Sequence, residues 1–271
     1  MPAFKHSPSY DILIREGLPE REMAQLLIGT SGWSYKHWQG LFYPQDLPPR
    51  EWFSYYKDHF TTVEINNTFY HLPAEKTFRN WRKQAPEGFI YAVKASRYIT
   101  HIKRLRDPQL ALEKFINRAR LLGETLGPVL YQLPPRWRPD LDRLKGFIEA
   151  LPRDLVHIFE FRDPRWLCQP VFDLLEENDL GFCIMSLPDF ECPKRATGYA
   201  VYIRLRGSRS LYASRYTQRE LEEWARYVVP LLVEGHDVYV YFNNDAFAHA
   251  VENAKELRHL IDKMAPLEEK V

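Results

Sequence analysis

Phe89-Ile-Tyr-Ala-Val-Lys94, followed by Leu110 to Leu122 and then by Pro128-Val-Leu-Tyr-Gln-Leu133, is the stretch of this chain that decides its fold. The outer pieces are short runs of β-branched and aromatic residues. The middle piece places Leu110, Leu112, Phe115, Ile116, Ala119 and Leu122 at three-to-four spacing, as an amphipathic helix does. Strand, helix and strand in that order form a crossover unit, which joins parallel strands.

Working outward, similar short runs recur at Leu26-Thr30, Thr62-Asn66, Val156-Phe161, Gly181-Met185, Tyr199-Leu205 and Asp237-Phe242, so the predicted strands number eight. Several read apolar on both faces, as strands do when one face fills a barrel and the other meets helices. A further helical pattern spans Leu221-Leu232. Eight strands in 271 residues predict a (β/α)8 barrel, a TIM barrel, formed as one domain over residues 26–271 after an N-terminal extension, 1–25. The exception is Ser186 to Gly198, where Pro188 and Pro193 rule out a proper helix and predict an irregular sixth crossover. No solenoid-length repeat or Gly/Ser-rich linker interrupts the pattern.

An apolar fraction of 45% supplies a large core, and 37 Lys plus Arg against 36 Asp plus Glu leave no global field for nucleic acid or an anionic membrane. Any attraction for anions must be local. Cys168, Cys183 and Cys192 form no CxxC pair, which argues against a disulfide framework or zinc knuckle and fits a reducing, cytoplasmic setting. The first 25 residues lack the apolar run of a signal peptide, and no run approaches the length of a membrane span.

In such barrels, function gathers where the strands end, because the following loops converge over the mouth. Those ends carry Ser31-Trp33, Glu64-Asn66, Lys94, Gln132, Glu160-Arg162, Ser186, Arg204 and Asn243-Asp245. So many polar ends are hard to explain as packing.

Gly29-Thr-Ser-Gly-Trp-Ser-Tyr35 with Trp38 and Phe42-Tyr-Pro44 opens a series of motifs. It continues with Thr62-Val-Glu-Ile-Asn-Asn-Thr-Phe-Tyr-His-Leu-Pro73, Val93-Lys94 with Ile99-Thr-His101, and Tyr131-Gln-Leu-Pro-Pro135. Phe159-Glu-Phe-Arg162 with Trp166, Tyr202-Ile-Arg204 with Gly207, and Val240-Tyr-Phe-Asn-Asn-Asp245 with Asn253-Ala254 complete it. In these motifs the chain resembles the DUF72 (YecE-like) family, and the resemblance covers residues 26 to 262. It implies a TIM barrel and brings no settled activity. Two positions depart from the family pattern: Arg206 stands where a His is common before Gly207, and Ala248 where a Gly follows the Asn-Asn-Asp. Were that His a proton carrier, this chain would lack it.

Glu64 and Glu160 could act as acid and base or hold a divalent cation, with His101 and Asp245 as further ligands; the structural alternative pairs Glu160 with Arg162 or Arg204. Lys94 could form a Schiff base, pair with Glu64 or meet a ligand anion. Retaining barrel glycosidases commonly place carboxylates after strands four and seven, where this chain has Gln132 and Arg204. Arginines gather after strand three (Arg97, Arg104, Arg106, beside Lys94 and Lys103) and after strand seven (Arg204, Arg206, Arg209, Arg215), which suits a phosphate cradle or, for some, a solvated surface. Trp33, Tyr35, Tyr70 and Trp166, with Trp38, Phe69 and Trp137, could stack a base or sugar or simply anchor loops.

Together these features predict an enzyme acting on an anionic, phosphate-bearing ligand by hydrolysis or acid–base chemistry without a redox cofactor. Glu64, Lys94, Glu160 and Asp245 are the candidate catalytic groups. Asn66, His101, Gln132, Arg162, Arg204, Arg206, Asn243 and Asn244 join the aromatics Trp33, Tyr35, Tyr70 and Trp166 as candidate ligand contacts. The alternatives are a nucleic-acid or nucleotide-binding barrel and a carbohydrate-acting one. An internal ion pair between Arg204 and Glu160 would undo the phosphate assignment and leave Arg204 a structural role.

Overall fold

The computed structural model describes residues 24–265, so the expected N-terminal extension lies outside them except for Ala24 and Gln25. Strands β1 (Leu26–Thr30), β2 (Thr62–Ile65), β3 (Ile90–Lys94), β4 (Leu126–Gln132), β5 (His157–Glu160), β6 (Gly181–Ser186), β7 (Ala200–Leu205) and β8 (Asp237–Phe242) pair in sequence order, all parallel. β8 returns to β1 over five rows, from Leu26 opposite Val238 to Thr30 opposite Phe242, and closes the barrel. Closure leaves no unpaired edge.

Helices α1 (Trp52–Lys57), a single turn α2 (Asn67–Tyr70), α3 (Glu75–Gln84), α4 (Gln109–Ala119), α5 (Leu141–Glu149), α6 (Gln169–Glu177), α7 (Gln218–Val233) and α8 (His249–Met264) fill the crossovers and follow the last strand. Local chemistry sets their starts. The Thr217 hydroxyl and the Glu220 side chain cap α7 reciprocally, and Asp140 accepts from the Arg143 backbone N–H at the head of α5. α4 stops three residues before the expected Leu122, and a tighter turn at Arg120–Thr125 follows, broken by Gly123 at φ 58°.

No helix joins β6 to β7. Residues 187–199 form the irregular crossover predicted from Pro188 and Pro193. They are held by the Thr197 hydroxyl, which accepts from the Phe182 backbone N–H at 2.8 Å and donates to the Leu180 carbonyl at 2.6 Å. β4 begins two residues earlier than the sequence suggests. Its register against β3 shifts between Tyr91 and Val93, and this irregularity accommodates Pro128, which has no N–H for the ladder.

Alternation along the strands divides the core in two. The larger cluster fills the space between sheet and helices. The smaller one, with Leu27, Ala92, Leu130, Ile158, Cys183, Met185, Tyr202, Tyr239 and Tyr241, comes from every second strand residue and occupies the barrel interior. Glu64, Lys94, Gln132, Glu160 and Arg204 lie on that inward phase, two residues beyond interior partners in several strands. Among the described residues no helix is long and apolar enough to cross a membrane.

Candidate active site at the barrel mouth

Arg204, at the end of β7, spans the barrel. One terminal nitrogen donates to Glu160 Oε2 on β5 at 2.7 Å, and the other donates to Glu64 Oε1 on β2 at 2.7 Å. All three side chains are buried, Arg204 at 1% exposure. Glu64 also accepts from the Ser31 hydroxyl at 2.7 Å, the Asn66 amide at 3.0 Å and the Tyr202 hydroxyl at 2.7 Å. Glu160 accepts from Arg206 at 2.6 Å and from Arg162 at 3.2 Å.

Burial alone would raise both carboxyl pKa values, yet both lie below the ordinary range. Arg204 and the Ser31 and Tyr202 hydroxyls lower Glu64, while Arg206, Arg204 and Arg162 carry Glu160 well below. For Arg204, burial works against the charge, but Glu64 and Glu160 hold its pKa well above the usual value. Each carboxylate is therefore ionised and saturated with donors.

This geometry corrects two expectations. Arg204 commits one terminal nitrogen to Glu160, as the structural alternative had it, and the other to Glu64, so the planar fork expected to meet phosphate is taken up inside the barrel. The proposed metal set also fails to converge: Glu64 and Glu160 face arginines, Asp245 meets His37 at 3.4 Å on the rim, and among the described residues no three His, Cys, Asp or Glu side chains lie close enough to share an ion.

The β3 side differs. Lys94 donates to the Gln132 side-chain carbonyl at 2.8 Å and sits 4.1 Å above the Phe69 ring, with no carboxylate in contact, so the anticipated pairing with Glu64 does not form. Burial, reinforced by Arg204 and opposed by Glu160 and Glu64, lowers its pKa to about 7. His101, in the turn after β3, packs edge-on against the same ring with centroids 5.0 Å apart, and its Nδ1 meets the Thr100 hydroxyl at 2.9 Å. Burial and the nearby Lys94 lower His101 to about 4.

The mouth thus gathers Glu64, Asn66, Lys94, Gln132, Glu160, Arg162, Arg204 and Arg206, with His101 beside them. Other candidates lie apart. Trp166 is fully buried, stacked on Phe161 and donating to the Trp137 carbonyl at 2.6 Å, so its ring is not free to stack a ligand, while Trp33 is partly buried against Phe53 and Trp81. Tyr70 points to solvent at 70% exposure. Tyr35 donates to the Ser31 carbonyl and lies against Trp38. Asn244 is buried with its amide donating to the Ser214 carbonyl and to Asn253, while its side-chain oxygen has no hydrogen-bond partner. Asn243 is half-buried at the end of β8, its backbone N–H bonded to the Leu205 carbonyl.

Sequence reasoning did not assign Tyr202, Phe69 or Ser31 their parts. Tyr202 was legible from spacing, because it stands two residues before Arg204 and four before Arg206 on the inward phase of β7.

Both departures from the family pattern acquire a physical meaning. The Arg206 guanidinium is buried against Glu160, and its Nε and one terminal nitrogen have no hydrogen-bond partner. Ala248 holds φ 58° and ψ 19°, the left-handed region that favours glycine. Gly207 keeps its family residue for a similar reason: φ is 99°, and a Cβ there would lie 2.4 Å from the Ser210 carbonyl oxygen.

The chain is 26% identical over 275 residues to the UPF0759 protein YunF of Bacillus subtilis, an alignment covering 88% of this chain and 95% of that one. A DUF72 family protein from Thermotoga maritima superposes with a TM-score of 0.79 at 27% identity, over 90% of this chain and all of the other. One from Enterococcus faecalis shares the fold at a TM-score of 0.75 and 17% identity, over 91% and 97%. The family model described as protein of unknown function DUF72 matches residues 27–270, and the chain belongs to that family.

Proposed function

We propose that the mouth is the active site of an enzyme that binds a small anionic ligand and acts on it by acid–base chemistry on the β3 side. The observation that supports it best is a surplus of buried positive charge. Three guanidiniums, Arg162, Arg204 and Arg206, surround two carboxylates, and Lys94 stands beside them with no carboxylate in direct contact among the described residues. An unpaired buried donor is costly, and Arg206 holds two, so an anion accepting from them would relieve both terms. Arg162, 18% exposed, is the accessible edge of the same group.

The anion-holding role therefore passes from Arg204 to Arg206 and Arg162, and phosphate is one of the groups that suit them rather than the only one. The proton-carrying role passes from the saturated carboxylates to Lys94 and His101, whose lowered pKa values make each partly or wholly neutral near pH 7. An outer cleft of about 710 Å³ on the loops that follow β3 and β4 is lined by Arg104, Arg106, Trp137, Arg138 and Arg143 together with Asp140 and Asp142, and Asp140 pairs with Arg143 at 2.7 Å.

Titration calorimetry with inorganic phosphate and with succinate tests the proposal. Saturable binding is expected, weakened about tenfold by Arg162→Gln, the loss of one charge-assisted hydrogen bond. Absence of saturable binding by either anion would overturn it.

A further inference from the structure

We propose that Lys94 is an amine nucleophile that forms an imine with the aldehyde or ketone group of an anionic substrate. The inference deepens the function proposed above by naming the substrate class, and it rests on that function for the word anionic. Geometry carries it. Lys94 terminates β3 on the inward phase, two residues after Ala92, and is 8% exposed. Its Nζ makes one hydrogen bond, to a neutral amide, and rests on the apolar face of Phe69. A lysine so placed has no carboxylate in contact to fix an ammonium; burial disfavours its charge, Arg204 and Arg206 oppose it, and Glu160 and Glu64 offset these only in part from a distance. The lowered pKa of about 7 agrees with that arrangement.

The other candidate nucleophiles fare worse. Burial, together with Glu160, pushes the Cys183 thiol well above its usual pKa, and Cys192 is raised to about 11 mainly by burial, so both thiols stay protonated. Lys194, also lowered by burial, lies over Trp224 and Tyr227 on the outer face of the barrel.

The step balances without an added reagent. The lone pair of the neutral amine attacks the carbonyl carbon to form a C–N bond, both N–H protons pass in turn to the former carbonyl oxygen, and that oxygen departs as water to leave a neutral C=N bond, which then takes up a proton from solvent. His101 is suited to move the proton, because its Nδ1 is held by Thr100 and its Nε2 is left to work beside the shared Phe69 ring. The protonated imine would place a new positive charge beside Arg204 and Arg206. A carboxylate or phosphate on the substrate offsets that charge, which favours an anionic carbonyl compound over a neutral one.

The test is reductive trapping of the full-length protein with sodium cyanoborohydride and glyoxylate, in parallel with the neutral glycolaldehyde, followed by peptide mass mapping across pH 5 to 11. At pH 7 an amine with pKa near 7 has roughly a thousandfold larger neutral fraction than an ordinary lysine. Lys94 should therefore label far faster than any exposed lysine, with a midpoint near pH 7 and at least tenfold preference for glyoxylate. Gln132→Glu, which puts a carboxylate beside the amine, should move the midpoint upward by about one pH unit.

Labelling of Lys94 no faster than the exposed lysines, or a midpoint near pH 10, would overturn the imine; the wild-type profile decides this even if no variant folds. Saturable phosphate binding without labelling would leave the proposed function standing and remove the nucleophile. Equal labelling by both aldehydes without anion binding would do the reverse.

Discussion

The two halves of the barrel mouth are both buried at their centres but differently charged. On the β2, β5 and β7 side, Glu64, Glu160 and Arg204 form a bridge in which every carboxylate oxygen has a donor. On the β3 and β4 side, Lys94 meets a neutral amide and a phenyl ring. Burial penalises charge on both sides, and the outcome depends on what stands opposite. Where opposite charges meet, ionisation is fixed; where burial is not offset by a contacting carboxylate, the proton is loosened. The first half serves as a frame and the second as the place where protonation can change near neutral pH.

Breaking the frame should have the largest effect. Glu160→Gln leaves Arg162, Arg204 and Arg206 without their shared carboxylate and should cost about 3–5 kcal/mol of unfolding free energy in urea denaturation. A loss below about 1 kcal/mol would mean that the two halves do not differ in this way. Glu64→Gln should cost less, about 1–3 kcal/mol, because Arg204 keeps Glu160, the amide oxygen can still accept from Ser31, and the Tyr202 hydroxyl can turn to accept from the new amide NH2.

Lys94→Met probes the other half through pH. The folded pKa of about 7 lies below the unfolded value, so between about pH 7 and 10 the unfolded chain holds a proton that the folded one has released. Stability from this group therefore rises with pH across that window, and the burial penalty is greatest below pH 7. The methionine variant should be more stable than wild type at pH 6, with an advantage that shrinks toward pH 10. Equal stability of the two proteins at pH 6 would show that the buried ammonium carries no penalty.

Two smaller effects set the scale. Ala248→Gly relieves a left-handed backbone at an alanine and should add about 0.5–1 kcal/mol, read as a higher urea midpoint. Arg215 pairs with Glu252 and Glu256 on the surface, half exposed to water, so Arg215→Ala should change stability by less than about 1 kcal/mol. Set beside the cost of Glu160→Gln, that value separates a paired arginine in water from one in the barrel.

Strand number, order and the irregular sixth crossover were legible because each depends on local pattern. The gathered site residues were legible for a related reason: side chains alternate along a strand, so Glu64, Lys94, Gln132, Glu160 and Arg204 share the inward phase. Partnership was legible in part: the pairing of Glu160 with Arg162 and Arg204 stood among the alternatives, whereas the bond from Arg204 to Glu64, 140 positions away, left no local signal. The same alternation explains a misassignment. Asn243 follows Tyr241 on the inward phase, while Asn244 takes the opposite one and bonds Asn253 of α8. Trp166 looked like a ligand platform for want of any signal that Phe161 and Trp137 would enclose it.

Closure of the sheet also has a consequence for biosynthesis. The Gln25 backbone N–H donates to the Asp237 side chain across 212 positions, β8 completes the ladder of β1, and Arg258 of α8 reaches the Leu26 carbonyl at 2.8 Å. During translation β1 emerges early and waits, with one edge open, until nearly the whole barrel has left the ribosome. The nascent chain cannot close its sheet during that interval, so a ribosome stalled before Asp237 should release a fragment whose β1 lacks the partner that completes its ladder.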